Sequence, residues 1–359
     1  MQHQNYSGKL FPEKENFTSA IDGKKTDLYF LHNEQVQVAI TNYGARIVSF
    51  LRRDKNENWT DVVVGFDTLS DYLNAKEIYH GAIIGRYANR IAEGKLVIGE
   101  QNISLPVNNG PNHLHGGPKG FHNAVWNVLD STGDHLTLHY FSRDGEEGYP
   151  GNLDVTIKYV LHESDLEIHF SATTDQDTVL NLTNHAYFNL NGQGNGDIHD
   201  HMLWLDAIHY TPVDKNLIPT GEIETVHETP FDFTQPKIIG RDIASGHEQI
   251  RFGNGYDHNF VLRVSSSNGL KLAARAIGNL SDIQLEVLTD QPGVQLYTGN
   301  FMEGTHTLKG GLKDEFRSAF CLETQHFPDS PNHSHFPSTL LKAGETFQSK
   351  TIFRLSMQS

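Results

Sequence analysis

The sequence predicts an all-β protein built as one sandwich or barrel. Short segments of alternating polar and apolar residues recur from about residue 35 to the C-terminus, which is the period of half-buried strands. The connections between them are rich in Gly, Asp and Pro, and the chain holds 32 Gly and 13 Pro. Segments with helical period are short, and short strands separated by regular turn signals are typical of all-β domains.

The first predicted elements form a hairpin. Residues 35–41 alternate cleanly, and the turn signal at 42–44 connects them to a second strand over 45–51. A short apolar strand is predicted over 61–66, and residues 69–75 have the spacing of a helix of one or two turns. Three further alternating segments follow: 136–141, 153–161 and 166–172.

The second half of the chain continues this pattern. Strands are predicted over 203–210, 259–264, 270–276, 283–288, 294–300 and 347–355. The chain contains no repeat of 20–50 residues, no low-complexity tract and no linker. We therefore expect one domain over residues 1–359.

Composition excludes several classes of partner. The formal net charge of −16 argues against binding to nucleic acid or to an anionic membrane, because both need a basic surface. The single cysteine, Cys321, excludes an intramolecular disulfide framework. The N-terminus lacks a basic stretch followed by an apolar one, and no apolar run approaches the ~20 residues that span a bilayer. The prediction is a cytoplasmic protein, with a periplasmic protein whose signal was removed as the alternative.

Two predicted strands, over 183–190 and 320–325, carry residues suited to catalysis. At the two-residue period of a strand, the polar face of the first carries Asn181, Thr183, His185, Tyr187 and Asn189. Its opposite face is apolar and is predicted to face the core: Leu182, Ala186, Phe188 and Leu190. In the second strand, over 320–325, Glu323 shares a face with Cys321, while Phe320 and Leu322 point the other way.

An imidazole and a carboxylate on rigid strands are the groups needed for general acid and general base catalysis. A glutamate in a partly apolar site has a raised pKa, which makes its carboxylate a better base. The alternatives are a packed structural histidine and a solvated glutamate at a sheet edge. If His185 and Glu323 meet across one cleft, the protein is a proton-transfer enzyme.

Other segments offer groups for ligand binding. The loop over 112–121 contains His113, His115 and three glycines, which permit close approach of backbone to a ligand. Residues 85–91 contain Arg86, Asn89 and Arg90, whose donors suit sugar hydroxyls or an oxyanion. Segments 256–260 and 291–300 add a carboxylate and amides. An ordinary connection and surface ion pairs are the alternatives.

The sequence predicts neither a metal nor an organic cofactor. Among 21 histidines, the closest pairs are His199 with His201 and His333 with His335. Neither pair has a Cys or Glu at zinc-site spacing. The chain has no glycine-rich phosphate loop and no dinucleotide fingerprint.

Taken together, these segments resemble the aldose 1-epimerases, also called galactose mutarotases. Seven blocks occur in the family's order: NYGA at 42–45, GRYANRI at 85–91, NHLHGG at 112–117, NLTNH at 181–185, DHNF at 257–260, QPGVQLYTGN at 291–300 and CLETQ at 321–325. The resemblance implies a large antiparallel β-sandwich with an open sugar cleft and no cofactor. Residues 1–18 lie outside it and are expected to be an N-terminal extension.

The resemblance also implies roles for individual residues. Glu323 is expected to be the general base that deprotonates the C1 hydroxyl of the sugar, and His185 the general acid that protonates the ring oxygen. His115 is expected to form hydrogen bonds near that oxygen. Four more residues match positions that hold sugar hydroxyls: Asn89, Arg90, Asp257 and Gln295. The expected activity is interconversion of the α and β anomers of free hexoses such as galactose and glucose, by a monomer or homodimer.

Three other functions remain open at this stage. A non-catalytic carbohydrate-binding domain would share the sandwich and the cleft. A glycosidase or polysaccharide lyase needs two carboxylates, which Asp257 and Glu323 could supply. A hexose-6-phosphate epimerase would need a cationic phosphate pocket, for which Arg86 and Arg90 are the candidates.

Overall fold

The computed structural model describes residues 11–263 and 269–358, and within these ranges strands dominate. The first fourteen strands are β1 Ser19–Ile21, β2 Lys24–Thr26, β3 Leu28–His32, β4 Val36–Thr41, β5 Arg46–Arg53, β6 Trp59–Asp61, β7 Ile83–Ile84, β8 Arg90–Ile91, β9 Lys95–Ile98, β10 Gln101–Ser104, β11 His113–Leu114, β12 Asn127–Ser131, β13 His135–Ser142 and β14 Leu153–His162.

The second fourteen strands complete the sheets. They are β15 Asp165–Thr174, β16 Thr178–Val179, β17 Thr183–Asn184, β18 Met202–Leu205, β19 Ala207–Tyr210, β20 Glu224–Thr225, β21 Lys237–Ile238, β22 Asp257–Leu262, β23 Lys271–Ile277, β24 Ile283–Thr289, β25 Gly293–Tyr297, β26 Cys321–Gln325, β27 Leu340–Leu341 and β28 Thr346–Met357. Helices are short: α1 Leu69–Asn74, α2 Glu248–Gly253, and single 3₁₀ turns such as Lys14–Phe17.

Three large antiparallel sheets make up the protein. One has nine strands in the order β12-β13-β14-β15-β28-β24-β23-β18-β21. The second has five, in the order β20-β19-β22-β25-β26, and the third has four, β3-β4-β5-β6. One hydrophobic cluster draws residues from all three, including Ile40, Ile157 and Leu296. The predicted all-β sandwich with few short helices is therefore confirmed.

The nine-stranded sheet follows the alternation that the sequence predicts. Buried and more exposed residues alternate along all ten positions of β14, and the same period holds along β24. One face of this sheet packs into the core while the other faces solvent, as is usual for antiparallel sheets. The predicted helix over 69–75 is also confirmed as α1, whose N-cap Thr68 accepts a hydrogen bond from the backbone of Asp71.

Three predicted strands differ from the structure. Residues 203–210 form two strands, β18 and β19, in different sheets. Between them, Asp206 is bonded through its backbone to Ala273 and Arg263, so the chain passes from one sheet to the other there. The strand predicted over 61–66 ends at Asp61. The N–H of Val62 still donates to Phe50 of β5, but the carbonyl of Val62 and the N–H of Val64 bond the irregular segment at Asn189 and Tyr187. The strand over 294–300 ends at Tyr297, and residue 264 lies outside the described residues.

The described part of the N-terminal segment packs on the sandwich. Phe17, in the first 3₁₀ turn, is completely buried in a second hydrophobic cluster. Its carbonyl accepts a hydrogen bond from the hydroxyl of Thr26, and the ring of Phe11 contacts that of Phe30. Within residues 11–263 and 269–358, no helix combines the length and the apolar character needed to cross a membrane.

Candidate active site

Three neighbouring strands of the five-stranded sheet align polar side chains on one face. In the register of β22, β25 and β26, Asn259 pairs with Gln295, and Gln295 pairs with Glu323. Two residues along, Asp257 pairs with Tyr297, and Tyr297 pairs with Cys321. Because residues two apart share a face, these two rows lie side by side and form one wall of the site.

His185 comes from a different part of the chain. The strand predicted over 183–190 is wrong beyond Asn184, where β17 ends. The Asn184 side chain accepts a hydrogen bond from the backbone N–H of Ala186 and donates one to the carbonyl of Gly81. The bond to Ala186 closes a local turn, and such turns compete with strand pairing. The His185 N–H donates to Ala82 at 2.8 Å, and its carbonyl accepts from Gly81 at 2.9 Å. The predicted core face is confirmed, since its four apolar side chains belong to the main hydrophobic cluster: Leu182, Ala186, Phe188 and Leu190.

The structure brings His185 and Glu323 into contact. Nε2 of His185 lies 3.5 Å from Oε1 of Glu323. Both residues are buried, with 4% and 2% of their surfaces exposed. The other ring nitrogen of His185, Nδ1, lies 3.5 Å from Sγ of Cys321. An imidazole and a carboxylate separated by 138 positions in the chain are thus held as a pair by the fold.

Burial shifts both members of this pair toward their neutral forms. It raises the pKa of the Glu323 carboxyl well above its usual value, with a further increase from Asp257 and an opposing effect of Arg90. Burial also lowers the pKa of His185 to about 3, and the neighbouring His80 and Arg46 contribute in the same direction. The pair therefore holds one proton over a wide pH range, and the two groups can exchange it with a bound molecule.

His115 has a defined tautomer. It follows β11, which pairs with β8, and its backbone N–H donates to the carbonyl of Asn89 at 3.1 Å. The backbone N–H of Asn89 donates in return to Nδ1 of His115 at 3.1 Å. Nδ1 is therefore an acceptor, so the neutral ring carries its proton on Nε2. Burial lowers the pKa of His115 well below its usual value, which keeps the ring a neutral donor.

A glycine beside His115 permits the close packing of two loops. A Cβ at Gly116 would lie 1.8 Å from the carbonyl oxygen of Gly85, and the φ of Gly116 is +82°. No other residue fits both conditions without strain. Gly116 thereby holds the loop that carries His115 against the segment that carries Asn89 and Arg90.

The remaining predicted binding residues form a connected polar group. Nε2 of Gln295 donates to Oδ1 of Asp257 at 2.7 Å. The guanidinium of Arg90 lies 3.7 Å from Oδ2 of Asp257 and donates to Asn109 at 3.1 Å. The side chain of Asn89 accepts a hydrogen bond from the backbone of Arg90. Together these contacts place Asn89, Arg90, Asp257 and Gln295 around the wall that carries Glu323.

Several buried polar atoms on this wall lack a hydrogen-bond partner among the described residues. They are Oε2 of Glu323, Oε1 of Gln295 and both side-chain atoms of Asn259. A buried polar atom without a partner costs free energy, on the order of 1–3 kcal/mol. A ligand rich in hydroxyl groups, which both donate and accept, would satisfy such atoms.

His115, His185 and Glu323 also meet the distance criterion for a metal site, since one potential ligand atom from each lies within 4.8 Å of the others. Two histidines and a glutamate are a known zinc-binding set. However, a histidine that binds a metal donates its other ring N–H to a partner, whereas Nδ1 of His115 accepts. The residues therefore suit a hydrogen-bond donor at His115 better than a metal ligand.

Two residues of the predicted binding segments have structural roles. The buried guanidinium of Arg86 donates to the hydroxyl of Ser142 and to four backbone carbonyls, from Ser142, Arg143, Pro150 and Gly151. His113 contacts the hydroxyl of Tyr149 at 2.6 Å and the carbonyl of Pro106 at 2.7 Å. These contacts connect loops to one another. They occupy the guanidinium nitrogens of Arg86 and both ring nitrogens of His113, so none of these nitrogens is left to bind a ligand.

The sequence interpretation missed an aromatic wall. The ring of Tyr79 lies 4.6 Å from His115 and 5.7 Å from His185, between centroids. Tyr187 stacks on His185 at 5.0 Å and is fully buried. The two-residue period placed Tyr187 on the face of His185, but no motif marked Tyr79, which lies in an irregular segment after α1.

Comparison with known proteins shows the family of this chain. A family model described as aldose 1-epimerase matches residues 27–354. The chain belongs to the aldose 1-epimerase family. It is 44% identical to a galactose mutarotase from Bos taurus over 329 residues, which cover 91% of this chain and 93% of that protein. It is 42% identical to a galactose mutarotase from Homo sapiens over 337 residues, 93% of this chain and 95% of that one.

Solved structures of family members share the fold. A crystal structure of an aldose epimerase homologue from C. elegans superposes with a TM-score of 0.86 at 26% identity, over 93% of this chain and all of that chain. A galactose 1-epimerase from Lactobacillus acidophilus gives a TM-score of 0.82 at 28% identity, over 95% and 97% of the two chains. The resemblance stated from the sequence blocks is thereby confirmed.

Proposed function

We propose that this protein is an aldose 1-epimerase that interconverts the α and β anomers of free hexoses such as galactose and glucose. The observation that carries the proposal is the buried pair of His185 and Glu323, 3.5 Å apart. Mutarotation needs one group that accepts a proton and one that donates a proton at neighbouring oxygens of one sugar, and it needs no redox step or group transfer.

The reaction follows from the proton that the pair holds. The Glu323 carboxylate takes the proton of the C1 hydroxyl, the C1–O5 bond breaks, and the electron pair of the O1–H bond forms the C1 carbonyl. The His185 imidazolium delivers its proton to O5, which becomes the C5 hydroxyl. After rotation about C1–C2, the C5 oxygen attacks the other face of the carbonyl, and both proton transfers run in reverse.

The pKa shifts support these roles. Because burial raises the pKa of Glu323, its carboxylate is a stronger base than an exposed one. Because burial lowers the pKa of His185, its imidazolium is a stronger acid. When the ring is open, the proton has passed from His185 to Glu323 through the sugar, and both groups are in the neutral forms that burial favours. Ring opening is therefore assisted by the low polarity of the site.

The other residues are proposed to hold the sugar. Nε2–H of His115 is a fixed donor beside His185, with 5.2 Å between the two ring centroids, and would bond near the ring oxygen. Asp257 and Gln295 offer acceptors, while Asn89 and Arg90 offer donors to hydroxyl groups. Orientation by such contacts keeps the reacting oxygens within hydrogen-bonding distance of the acid and the base.

The decisive experiment is polarimetry of freshly dissolved α-D-galactose and α-D-glucose with and without the protein. We expect faster decay to the equilibrium rotation, and loss of the acceleration in Glu323→Gln at equal concentration of folded protein. Binding of either sugar without any acceleration would instead support a carbohydrate-binding domain. Release of sugar from an aryl glycoside would support a glycosidase that uses Asp257 with Glu323.

No observation favours a sugar phosphate as substrate. Of the two arginines considered for a phosphate pocket, Arg86 is occupied by carbonyls and Ser142, and Arg90 lies against Asp257. The substrate is therefore proposed to be an uncharged aldose.

We further propose that residues 1–359 act as one domain, with residues 1–18 as an N-terminal extension. This is supported by the origin of the site residues, which come from positions 89 to 323 of the chain. The cytoplasmic location and the monomeric or homodimeric state remain predictions from the sequence. Light scattering after size-exclusion chromatography would measure the oligomeric state.

A further inference from the structure

A half-buried carboxylate, Glu77, lies behind the proposed general acid. The hydroxyl of Tyr187 donates to Oε2 of Glu77 at 2.9 Å. The same tyrosine ring lies 5.0 Å from the ring of His185, with 23° between the two planes. It also lies 4.2 Å from the ring of His80, at 17°. Tyr187 therefore connects Glu77 to the imidazole of His185 by one hydrogen bond and one stacked contact.

His185 has a second tyrosine in nearly parallel orientation. The ring of Tyr79 lies 5.7 Å away, with an interplanar angle of 24°. The plane of the imidazole is thus defined by aromatic rings, in addition to the contacts of its nitrogens with Glu323 and Cys321. Glu77 is half-buried and Tyr187 is fully buried, so the bond between them is largely shielded from water.

This arrangement affects the charged form of His185 more than its neutral form. The face of an aromatic ring attracts a cation, and the attraction is stronger in a desolvated site. A phenol that donates its proton to a carboxylate has a more electron-rich oxygen and ring than one that does not. The imidazolium required for protonation of the sugar ring oxygen would therefore be stabilised by Tyr187, and more so while Tyr187 is bonded to Glu77.

We propose that Glu77, acting through Tyr187, is a positioning residue that stabilises the protonated form of His185 and fixes the plane of its ring. The inference rests on the proposed function, because it assigns an additional residue to the same acid–base pair. Glu77 does not contact the reacting atoms in this scheme, so its effect is on the pH range of the reaction and not on the chemistry itself.

Other titratable groups also act on His185 and on Glu77. His185 is faced by Glu323 and Cys321 from β26 and by His115 and Tyr79 from two loops, while His80 and Arg46 lower its pKa. Besides Tyr187, the acidic groups that act on Glu77 are Asp257, Glu303 and Asp314, and Tyr297 lies against Tyr187. Glu77, through Tyr187, is proposed to oppose the effects of Arg46 and His80 at the imidazole, which Glu323 also faces.

The test is the pH profile of kcat/KM for mutarotation in Glu77→Gln, Tyr187→Phe and the double variant. Glu77→Gln keeps an acceptor for the phenol but removes the charge, and Tyr187→Phe keeps the ring but removes the bond. In each variant we expect the acidic limb, where His185 of the singly protonated pair takes up a second proton, to move to lower pH by about half a unit to one unit. In the Tyr187→Phe background, Glu77→Gln should add no further shift.

The matched control is Glu34→Gln, which removes one carboxylate at an exposed position between β3 and β4. Its profile should coincide with that of the unaltered protein. Unchanged limbs in Glu77→Gln would overturn the inference even if KM or thermal stability changed. A Glu77→Gln shift that persists in full in the Tyr187→Phe background would overturn it as well, because Glu77 would then act directly through its charge. Absence of mutarotation in the unaltered protein would overturn both the proposed function and this inference.

Discussion

The nine-stranded and five-stranded sheets differ in the polarity of the side chains that they bury. Along β14 and β24, most buried side chains are apolar and most of the more exposed ones are polar. In β25 and β26 every residue is buried, and the face away from the main hydrophobic cluster carries Gln295, Cys321 and Glu323. The first sheet is built for stability. The second places polar groups where their desolvation costs free energy, and that cost is accepted only where it alters reactivity.

The same contrast appears in the histidines. His139 and His169 lie on the more exposed face of the nine-stranded sheet, beside Asp154 and Glu167. Around the site, burial lowers the pKa of His80, His122 and His185 to about 3. Histidine thus pairs with carboxylates on the surface of the nine-stranded sheet, whereas around the site it is buried and neutral.

The largest expected effect is a loss of turnover on substitution of Glu323, in the five-stranded sheet, or of its partner His185. Glu323→Gln and His185→Asn should each lower kcat by ~100-fold or more, because each removes one of the two proton-transfer groups. Thermal unfolding should show no loss of stability in Glu323→Gln, since the variant removes a buried ionisable group. Polarimetry and circular dichroism on the same samples measure both quantities. Near-normal turnover in either variant would remove that residue from its proposed role.

A core variant in the nine-stranded sheet should lower stability and leave turnover unchanged. Leu285→Ala in β24 removes a completely buried side chain and should lower the free energy of unfolding by about 2–5 kcal/mol. Turnover per folded molecule should stay the same, because Leu285 lies in β24, outside the strands and loops that carry the proposed site residues. Urea unfolding and polarimetry at low temperature check the two expectations. A loss of turnover comparable to that of Glu323→Gln would mean that the two regions are not separable.

Acid should destabilise the protein through its buried histidines. Seven have a folded-state pKa of about 3 or about 4: His80, His113, His122, His185, His201, His258 and His326. Between those values and the unfolded pKa of about 6.5, the unfolded chain binds more protons, so stability rises with pH across this window. We expect a lower free energy of unfolding at pH 5 than at pH 7, measured by urea titration.

A single variant tests the origin of this acid effect. His122→Asn removes a buried ring whose nitrogens have no hydrogen-bond partner among the described residues, so it should reduce the difference between pH 5 and pH 7. The raised pKa values of Glu77 and Glu323 act in the opposite direction, because their protons are bound more tightly by the folded chain. An unchanged difference in His122→Asn would assign the acid sensitivity to other groups.

The smallest expected effect concerns Cys321. Burial raises the pKa of its thiol well above the usual value, so a neutral thiol lies 3.5 Å from Nδ1 of His185. A thiol is a weak hydrogen-bonding group, so Cys321→Ser should change kcat by ~5-fold or less. A fall of the size expected for His185→Asn would show that the thiol is part of the proton-transfer machinery.

Much of the fold could be predicted from the sequence, namely those strands that have one buried face and one solvent-exposed face. The alternation over 153–161 and 283–288 predicted β14 and β24 closely, and the hairpin of β4 and β5 was predicted from its turn signal. The strand over 183–190 was wrong because Asn184 bonds the backbone locally. The predicted strand over 203–210 was divided because the two parts bond different sheets at Asp206.

The candidate site could be predicted in residue type but only partly in arrangement. His185 and Glu323 stood out as polar groups within apolar segments. Tyr79 and Glu77 did not, because they lie in an irregular segment and their side-chain partners at the site, His185 and Tyr187, are distant in sequence. Arg86 and Arg90 occur in one motif, yet one is bonded to carbonyls in the interior and the other to Asp257.

The sequence by itself determined the class of fold and the family blocks and marked His185 and Glu323 as candidate acid and base, because periodicity and residue chemistry are local properties. Only the tertiary structure decided that His185 lies 3.5 Å from Glu323, that His115 carries its proton on Nε2, and that Tyr187 contacts both His185 and Glu77. These relations depend on strand register and on burial. Both arise from contacts between residues that are remote in the chain, and burial is what shifts the pKa values on which the proposed chemistry depends.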